Sequence, residues 1–317
     1  MDVFGLINDK EIEVLRLGLD IGGTKIEAVV LSESGEMLYQ KRIPTPTKSY
    51  VEFLSTVTGF ITDIQSTLQQ PITIGIGLPG AISPDTKTIK NCNCLILNGQ
   101  RLDKDIEEKI QQPVFIANDA DCFTLSEAKD GAGEGLPTVF GVIIGTGCGG
   151  GVVVNGQLLS GPNAIAGEWG HNTLPQYHRD NDGLAQQCYC GKINCIERFI
   201  SGSGFSERYN QQHGTDYNSL DIMELKRAGN INAEQHYLSF IDMCARSLAS
   251  VINILDPHVI VLGGGLSNVE EIYQDINDLI GSYVFSDVCN TKIVKAKYGD
   301  SSGVRGACWL PKMNGAV

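Results

Sequence analysis

The sequence predicts an α/β protein built as two similar lobes with a cleft between them, and three observations carry that expectation. The chain has 317 residues, more than one compact domain usually holds. A strand, a glycine-rich bend and a second strand occur twice, around 20–25 and 145–151. An apolar strand that runs into glycine also occurs twice, at 71–80 and 256–265. Two lobes that face each other leave a cleft between them, where ligands commonly bind.

Taken in order, residues 14–19 and 26–31 read as strands joined by the DIGGTK bend at 20–25, and SESG at 32–35 is the next turn. The apolar run PITIGIGLPG at 71–80 is the first strand of the second kind. Residues 114–117 read as a strand and 122–128 as the helix after it. The first hairpin pattern then returns: FGVII at 140–144, the glycine bend, VVV at 152–154 and an Asn155–Gly156 turn. Leu238, Ile241, Ala245, Leu248, Ile252 and Leu255 share one helical face, which Asp256 and Pro257 end. The strand 259–262 then enters Gly263, Gly264 and Gly265. The duplication divides the chain at Asn118 and Asp119, so that 1–118 with 301–317 make a small lobe and 119–300 a large one.

Composition removes several classes of function. With 42% hydrophobic residues, 37 Gly and 11 Pro the chain is ordinary globular protein. No run approaches the ~18 apolar residues of a membrane span, and the start carries acids where a leader needs basic and apolar blocks. A net charge of −13 repels a phosphate backbone and argues against nucleic acid as a partner. Ten cysteines without export signals read as reduced thiols of a cytoplasmic protein, some of them on a metal.

Two stretches, 75–80 and 145–150, fit GxGxxG literally. A dinucleotide site needs a helix directly after the glycines, whereas a hairpin follows one match and Pro79–Gly80 interrupts the other. The other use of such loops is to bring backbone N–H groups close to phosphate oxygens from two facing bends. Asp20 enters one bend, and Thr24 and Thr146 offer hydroxyls. The plainer reading, tight turns without a ligand, loses ground because the loops are paired.

Three thiols stand within eight residues at Cys188, Cys190 and Cys195, with His171 upstream. Three thiolates and an imidazole complete a tetrahedral zinc site with no open position, which makes the metal structural. Cys122, Cys244, Cys289 and Cys308 read as buried or redox thiols, and Cys92 and Cys94 have no assignment. Glu168 and Glu197 flank the metal ligands, so a zinc clamp over 171–195 would turn both acids toward a common point. Asn194 stands just before the third cysteine; asparagine tolerates a left-handed backbone better than other non-glycine residues.

The ordered motifs DIGGTK (20–25), GLPG (77–80), NDA (118–120), GTG (145–147), GEWGH (167–171), CYCGKINCIE (188–197) and GGG (263–265) resemble the signatures of the ROK family of sugar kinases over about Leu17 to Trp309. The stretches 91–105 and 299–307 are particularly similar to the bacterial fructokinases (mannofructokinases) of that family. The resemblance implies an actin-like ATPase (ribonuclease H-like) fold with two lobes, an interlobe cleft and a zinc knuckle. It implies ATP and Mg2+ in the cleft, structural Zn2+ and a bound hexose. The branch implies transfer of the ATP γ-phosphate to the 6-hydroxyl of fructose, with mannose as a further substrate and glucose or an N-acetylhexosamine as the alternatives.

By the same resemblance Asp119 is the catalytic base. Gly80, Asn98, Asn118, Glu168, His171 and Glu197 are sugar contacts, and His171 serves both zinc and sugar. Gly22, Gly23, Thr24, Lys25, Gly145, Thr146 and Gly147 hold the nucleotide phosphates, Gly263, Gly264 and Gly265 the adenosine, and Asp20 the magnesium through water. Without the resemblance Asn118–Asp119 reads as a helix cap, Asp20 as an Asx turn and Gly263–Gly265 as a strand-end turn. Members of the family are commonly dimers. A sugar-sensing repressor needs a helix-turn-helix, for which the segment before the first strand is too short, and an actin-like chaperone has no use for zinc-clamped glutamates.

Overall fold

The computed structural model describes residues 13–313 and residue 315, so most of the acidic start and the end of the tail read above lie outside the described residues. The first sheet opens with three antiparallel strands, β1 (Leu15–Ile21), β2 (Lys25–Leu31) and β3 (Met37–Pro44). Helix α1 (Tyr50–Leu68) starts at Ser49, whose side chain accepts from the Glu52 N–H, and it buries Phe53, Val57, Ile61 and Ile64 on one stripe. Then come β4 (Ile72–Leu78), a small hairpin of β5 (Ala81–Ile82) and β6 (Ile89–Lys90), α2 (Leu102–Ile110) and β7 (Val114–Asn118). The strand order is β3-β2-β1-β4-β7, with β1, β4 and β7 parallel.

After α3 (Asp119–Lys129) the pattern begins again with β8 (Thr138–Ile144), β9 (Cys148–Val154) and β10 (Gln157–Leu158). A helical region follows: α4 (Arg179–Asp182), α5 (Glu197–Ile200), α6 (Gly202–His213), α7 (Ser219–Arg227) and α8 (Ile231–Leu255). Next are β11 (Val259–Gly263), α9 (Glu271–Ile280), β12 (Lys292–Lys295) and α10 (Ser302–Met313). The second sheet runs β10-β9-β8-β11-β12, with β8, β9 and β10 antiparallel and β11 and β12 parallel to β8. Both sheets therefore have three hairpin-linked strands followed by two parallel ones in the same spatial order, the duplication that the sequence predicts.

Element boundaries differ from the expectation in instructive ways. β1 runs on to Ile21 because Asp20 and Ile21 still pair with Glu27 and Ile26 across the bend. The helix expected at 122–128 begins at Asp119, since the Asn118 side chain caps it by accepting from the Ala120 N–H. α8 is the one helix among the described residues long and apolar enough to cross a membrane, yet 56% of its apolar window is buried against this protein's own core.

Each lobe has its own core, and a third apolar cluster joins them around Cys122, Phe123, Val304, Ala307 and Cys308. α10 packs on α3, β4 and β1. A Cβ at Gly306 would collide with the Cys122 carbonyl, so only glycine lets α10 and α3 touch through their backbones. The start of α3 is thereby held between the two sheets, which is where the cleft opens.

Candidate active site

The junction of β7 and α3 sets the position of Asn118 and Asp119. Asn118 Oδ1 accepts from the Ala120 N–H at 2.9 Å, and its Nδ2 donates to the Gly80 carbonyl at 3.1 Å, which ties the glycine turn after β4 to this helix start. Asp119 Oδ1 accepts from the same Ala120 N–H at 2.8 Å. Cap and site are thus built from the same pair of residues. Burial pushes the Asp119 carboxyl above its ordinary range; the Ala120 bond opposes the shift and the Glu168 charge adds to it.

Asp119 is one of a row of acids. Asp20, in the first bend, is raised to about 6 by burial and then by Asp119 and Glu27, with Lys25 pulling the other way. Asp121, two residues beyond Asp119, is raised to about 7 by burial and then by Glu168 and Asp119. These carboxylates repel one another with Lys25 as the cation acting on Asp20, so the row is short of positive charge. A divalent cation fits that deficit, with Asp20 as the group that would hold it.

The bends expected to hold phosphate are closed hairpins. Gly22 N–H donates to the Lys25 carbonyl at 2.9 Å and Gly145 N–H to the Gly147 carbonyl at 3.0 Å. Gly23, Thr24, Lys25 and Thr146 are exposed on them. Gly264 has φ +83°, and a Cβ there would lie 2.7 Å from the Ile144 carbonyl oxygen, so the GGG turn abuts the Gly145 bend. Gly263 is buried at the end of β11 and Gly265 is exposed.

The ligand atoms of His171, Cys188, Cys190 and Cys195 all lie within 4.8 Å of one another. His171 Nδ1 is 3.7 Å from Cys188 Sγ, and Cys190 Sγ is 3.5 Å from Cys195 Sγ. Tetrahedral zinc at ~2.3 Å from each thiolate needs sulfurs roughly 3.8 Å apart, so the donor set fits the metal. Asn194 has φ +61°, and its Oδ1 accepts from the Gln186 N–H at 2.8 Å, which fixes the turn before Cys195.

The knuckle feeds directly into α5, whose first residue is Glu197. Glu197 Oε2 accepts from the Cys148 N–H at 2.9 Å and so joins the knuckle to the Gly145–Gly147 bend. Glu168 is exposed at the cleft. His171 Nε2, the other ring nitrogen, lies 3.0 Å from the Tyr189 hydroxyl.

Asn98, expected at the sugar, has its amide joined to Cys92 in both directions: Oδ1 accepts from the Cys92 N–H at 2.9 Å and Nδ2 donates to the Cys92 carbonyl at 2.9 Å. It holds the segment that packs against Gly80. Cys92 and Cys94 are buried in the first lobe's core, which accounts for them as apolar side chains.

A cavity of about 350 Å³ opens beside the acids, with Asn118, Asp121 and Glu168 on its wall and Ala81, Ile82 and Leu158 around them. Another cavity, of about 420 Å³, lies between α4, α6 and α8 and contains none of these residues. Sequence reasoning missed Asp121 and Tyr189. The signal for Asp121 was a second acid two residues after the first, in a helix turn that faces the same cleft.

A family model described as "ROK family" matches residues 16–314. Among curated proteins, the N-acetyl-D-glucosamine kinase of Vibrio vulnificus is 40% identical over 296 residues, 92% of this chain and 98% of that protein. Among solved structures, a ROK hexokinase from Thermus thermophilus is similar with a TM-score of 0.85 at 26% identity, over 96% of this chain and 99% of that one. A ROK family glucokinase from Streptomyces griseus, in complex with glucose and AMPPNP, is similar with a TM-score of 0.73 at 25% identity, over 93% of this chain and 98% of that one.

Proposed function

The chain belongs to the ROK family, and we infer that within it this ATP-dependent sugar kinase acts on N-acetyl-D-glucosamine, transferring the γ-phosphate to the sugar's 6-hydroxyl. The family accounts for the actin-like ATPase fold and for a sugar and ATP as the bound molecules. Stretches 91–105 and 299–307 favour fructose; against them stands the 40% identity to an N-acetyl-D-glucosamine kinase over nearly the full chain, which supports the N-acetylhexosamine alternative more strongly. That identity is the observation on which the choice of sugar rests.

Phosphoryl transfer asks little covalent chemistry of the protein and much positioning. In this reading Asp119 accepts the proton of the 6-hydroxyl as its oxygen forms the new bond to phosphorus and the bond to the departing ADP oxygen breaks. Asn118, Glu168, His171, Glu197 and the Gly80 turn hold the other sugar groups, and Asn98 holds the Gly80 side of that wall through Cys92. The Gly22–Lys25 and Gly145–Gly147 bends grip the phosphates with backbone N–H groups other than those of Gly22 and Gly145, which close the hairpins, and the Gly263–Gly265 turn receives the adenosine. Asp20 would hold the magnesium through water, and that ion supplies charge neutralisation at the phosphates. His171, Cys188, Cys190 and Cys195 would hold zinc, whose four protein ligands leave it a structural part. Closure of the lobes, taken as 1–118 with 301–317 and 119–300, would exclude water from the reacting phosphate. ATP as the donor fits a cytoplasmic enzyme.

The test is ADP release measured over a panel of N-acetyl-D-glucosamine, N-acetyl-D-mannosamine, glucose, mannose and fructose, with the product's phosphate located by NMR. The expected result is sugar-dependent ADP release with the highest kcat/KM for N-acetyl-D-glucosamine and phosphate on the 6-oxygen. Hydrolysis that ignores sugar, or a preference for fructose, overturns the assignment.

A further inference from the structure

The cavity beside the acids joins two chemistries in one wall. Ala81 and Ile82 from one lobe and Leu158 and Ala166 from the other make an apolar strip, and Asn118, Asp121 and Glu168 stand next to it. An acetamido group has the matching pair of needs, an apolar site for its methyl and a donor for its carbonyl oxygen. An ionised carboxylate only accepts hydrogen bonds, and the Asn118 Nδ2 already donates to the Gly80 carbonyl. Gln157 and Ser160, further side-chain donors on that wall, are exposed, whereas Asp121 is partly buried.

Asp121 has the remaining capacity. Its Oδ1 is buried without a hydrogen-bond partner among the described residues, a costly arrangement for an ionised carboxylate and a tolerable one for a neutral acid whose Oδ1 is the carbonyl oxygen. A neutral acid carries one O–H donor on the other oxygen. Burial and the neighbouring charges of Glu168 and Asp119 push its carboxyl up to about 7, so a proton is at hand near neutral pH.

We propose that Asp121 is a specificity-determining residue whose carboxyl O–H donates to the acetamido carbonyl of the sugar, while the strip beside it takes the acetyl methyl. The proposal rests on the N-acetylhexosamine reading above. A hexose with a bare 2-hydroxyl carries neither the methyl nor the carbonyl acceptor, and a site built to bond a group discriminates strongly against an analogue that lacks it.

The experiment compares kcat/KM for N-acetyl-D-glucosamine with that for glucose in the unaltered enzyme, Asp121→Ala and Asp121→Asn. Asp121→Ala is expected to lower the ratio roughly tenfold or more through KM for the acetylated sugar, while Asp121→Asn, a neutral donor of the same shape, keeps it within about threefold. The N-thioacetyl analogue, a weaker acceptor, is tested on the unaltered enzyme and is expected to lose roughly fivefold against the N-acetyl sugar, which covers a variant that does not fold. An unchanged ratio in Asp121→Ala, an equal fall for both sugars, or an indifferent thioacetyl analogue overturns the role of Asp121 alone. An unaltered enzyme without preference for the acetylated sugar overturns both this proposal and the assignment it rests on.

Discussion

Ser302 Oγ donates to Glu127 Oε1 at 2.7 Å, although 175 residues separate them in the chain. Glu127 is fully buried near the end of α3, and its Oε2 also accepts from the Ala132 and Lys297 N–H groups at 2.9 and 3.0 Å. One carboxylate therefore fastens the helix that begins with Asp119 to the start of α10. Glu127→Gln turns an NH2 group toward donors and leaves one of them unsatisfied. The expected loss is about 2–4 kcal/mol in urea unfolding; a change under about 0.5 kcal/mol refutes the fastening role.

Asp119→Asn keeps the shape of the helix start, and Asn118 still caps Ala120. What it removes is the proton acceptor. The expected result is a kcat lower by roughly 10²–10⁴ with sugar affinity by calorimetry little changed. Near-normal turnover by the pure variant refutes Asp119 as the base.

The acid limb of the pH profile follows from the same residue. The base acts ionised, and its carboxyl is raised by burial with Glu168 adding to the shift, so activity is lost as pH falls through a value above the ordinary carboxylate range of ~4. Glu168→Gln removes a neighbouring negative charge and is expected to move the limb of kcat to lower pH. A limb that stays in place shows that Glu168 does not face Asp119 in the working enzyme.

Chelation of the cysteine cluster tests the knuckle as a support for sugar binding. Glu197 follows Cys195 by two residues and is bonded to the Cys148 N–H, and Glu168 precedes His171 by three. Loss of the clamp is expected to raise KM for the sugar roughly tenfold or more and KM for ATP less. Equal loss of both with an intact circular dichroism spectrum counts against the coupling.

The doubled hairpin was legible because glycine bends interrupt apolar runs at matching places in both halves, and the repeated strand order bears it out. His171 and the three cysteines were legible from spacing alone, since few other arrangements explain three thiols so close together. Asp121 was not, because an acid in the first turn of a helix already has a sufficient reason in the helix dipole. The bond between Glu127 and Ser302 was hidden for another reason: nothing local in either segment records a contact made through the fold. The choice of sugar was equally out of reach, since hexoses differ by single groups whose discrimination depends on placement that residue types do not record.

His236 gives the large lobe a dependence on pH that has no connection with catalysis. It is buried against the rings of Phe205 and Tyr209, with centroids 4.6 and 5.3 Å away, and its Nε2–H donates to the Phe205 carbonyl at 2.8 Å. Burial lowers its pKa from 6.5 to about 4, the Phe205 bond opposing the shift. The folded state thus binds the proton less readily than the unfolded chain. Stability from this residue is complete above 6.5 and is lost as pH falls from there toward 4. Between about pH 7 and about pH 5 the expected loss is roughly 2 kcal/mol. His236→Gln keeps an N–H donor for the Phe205 carbonyl and cannot titrate. It is expected to be less stable at neutral pH, because the ring packing is gone, and to show a pH slope flatter by about that amount in urea unfolding. Comparing the two proteins cancels the carboxylates they share, so equal slopes refute His236 as the source of acid sensitivity.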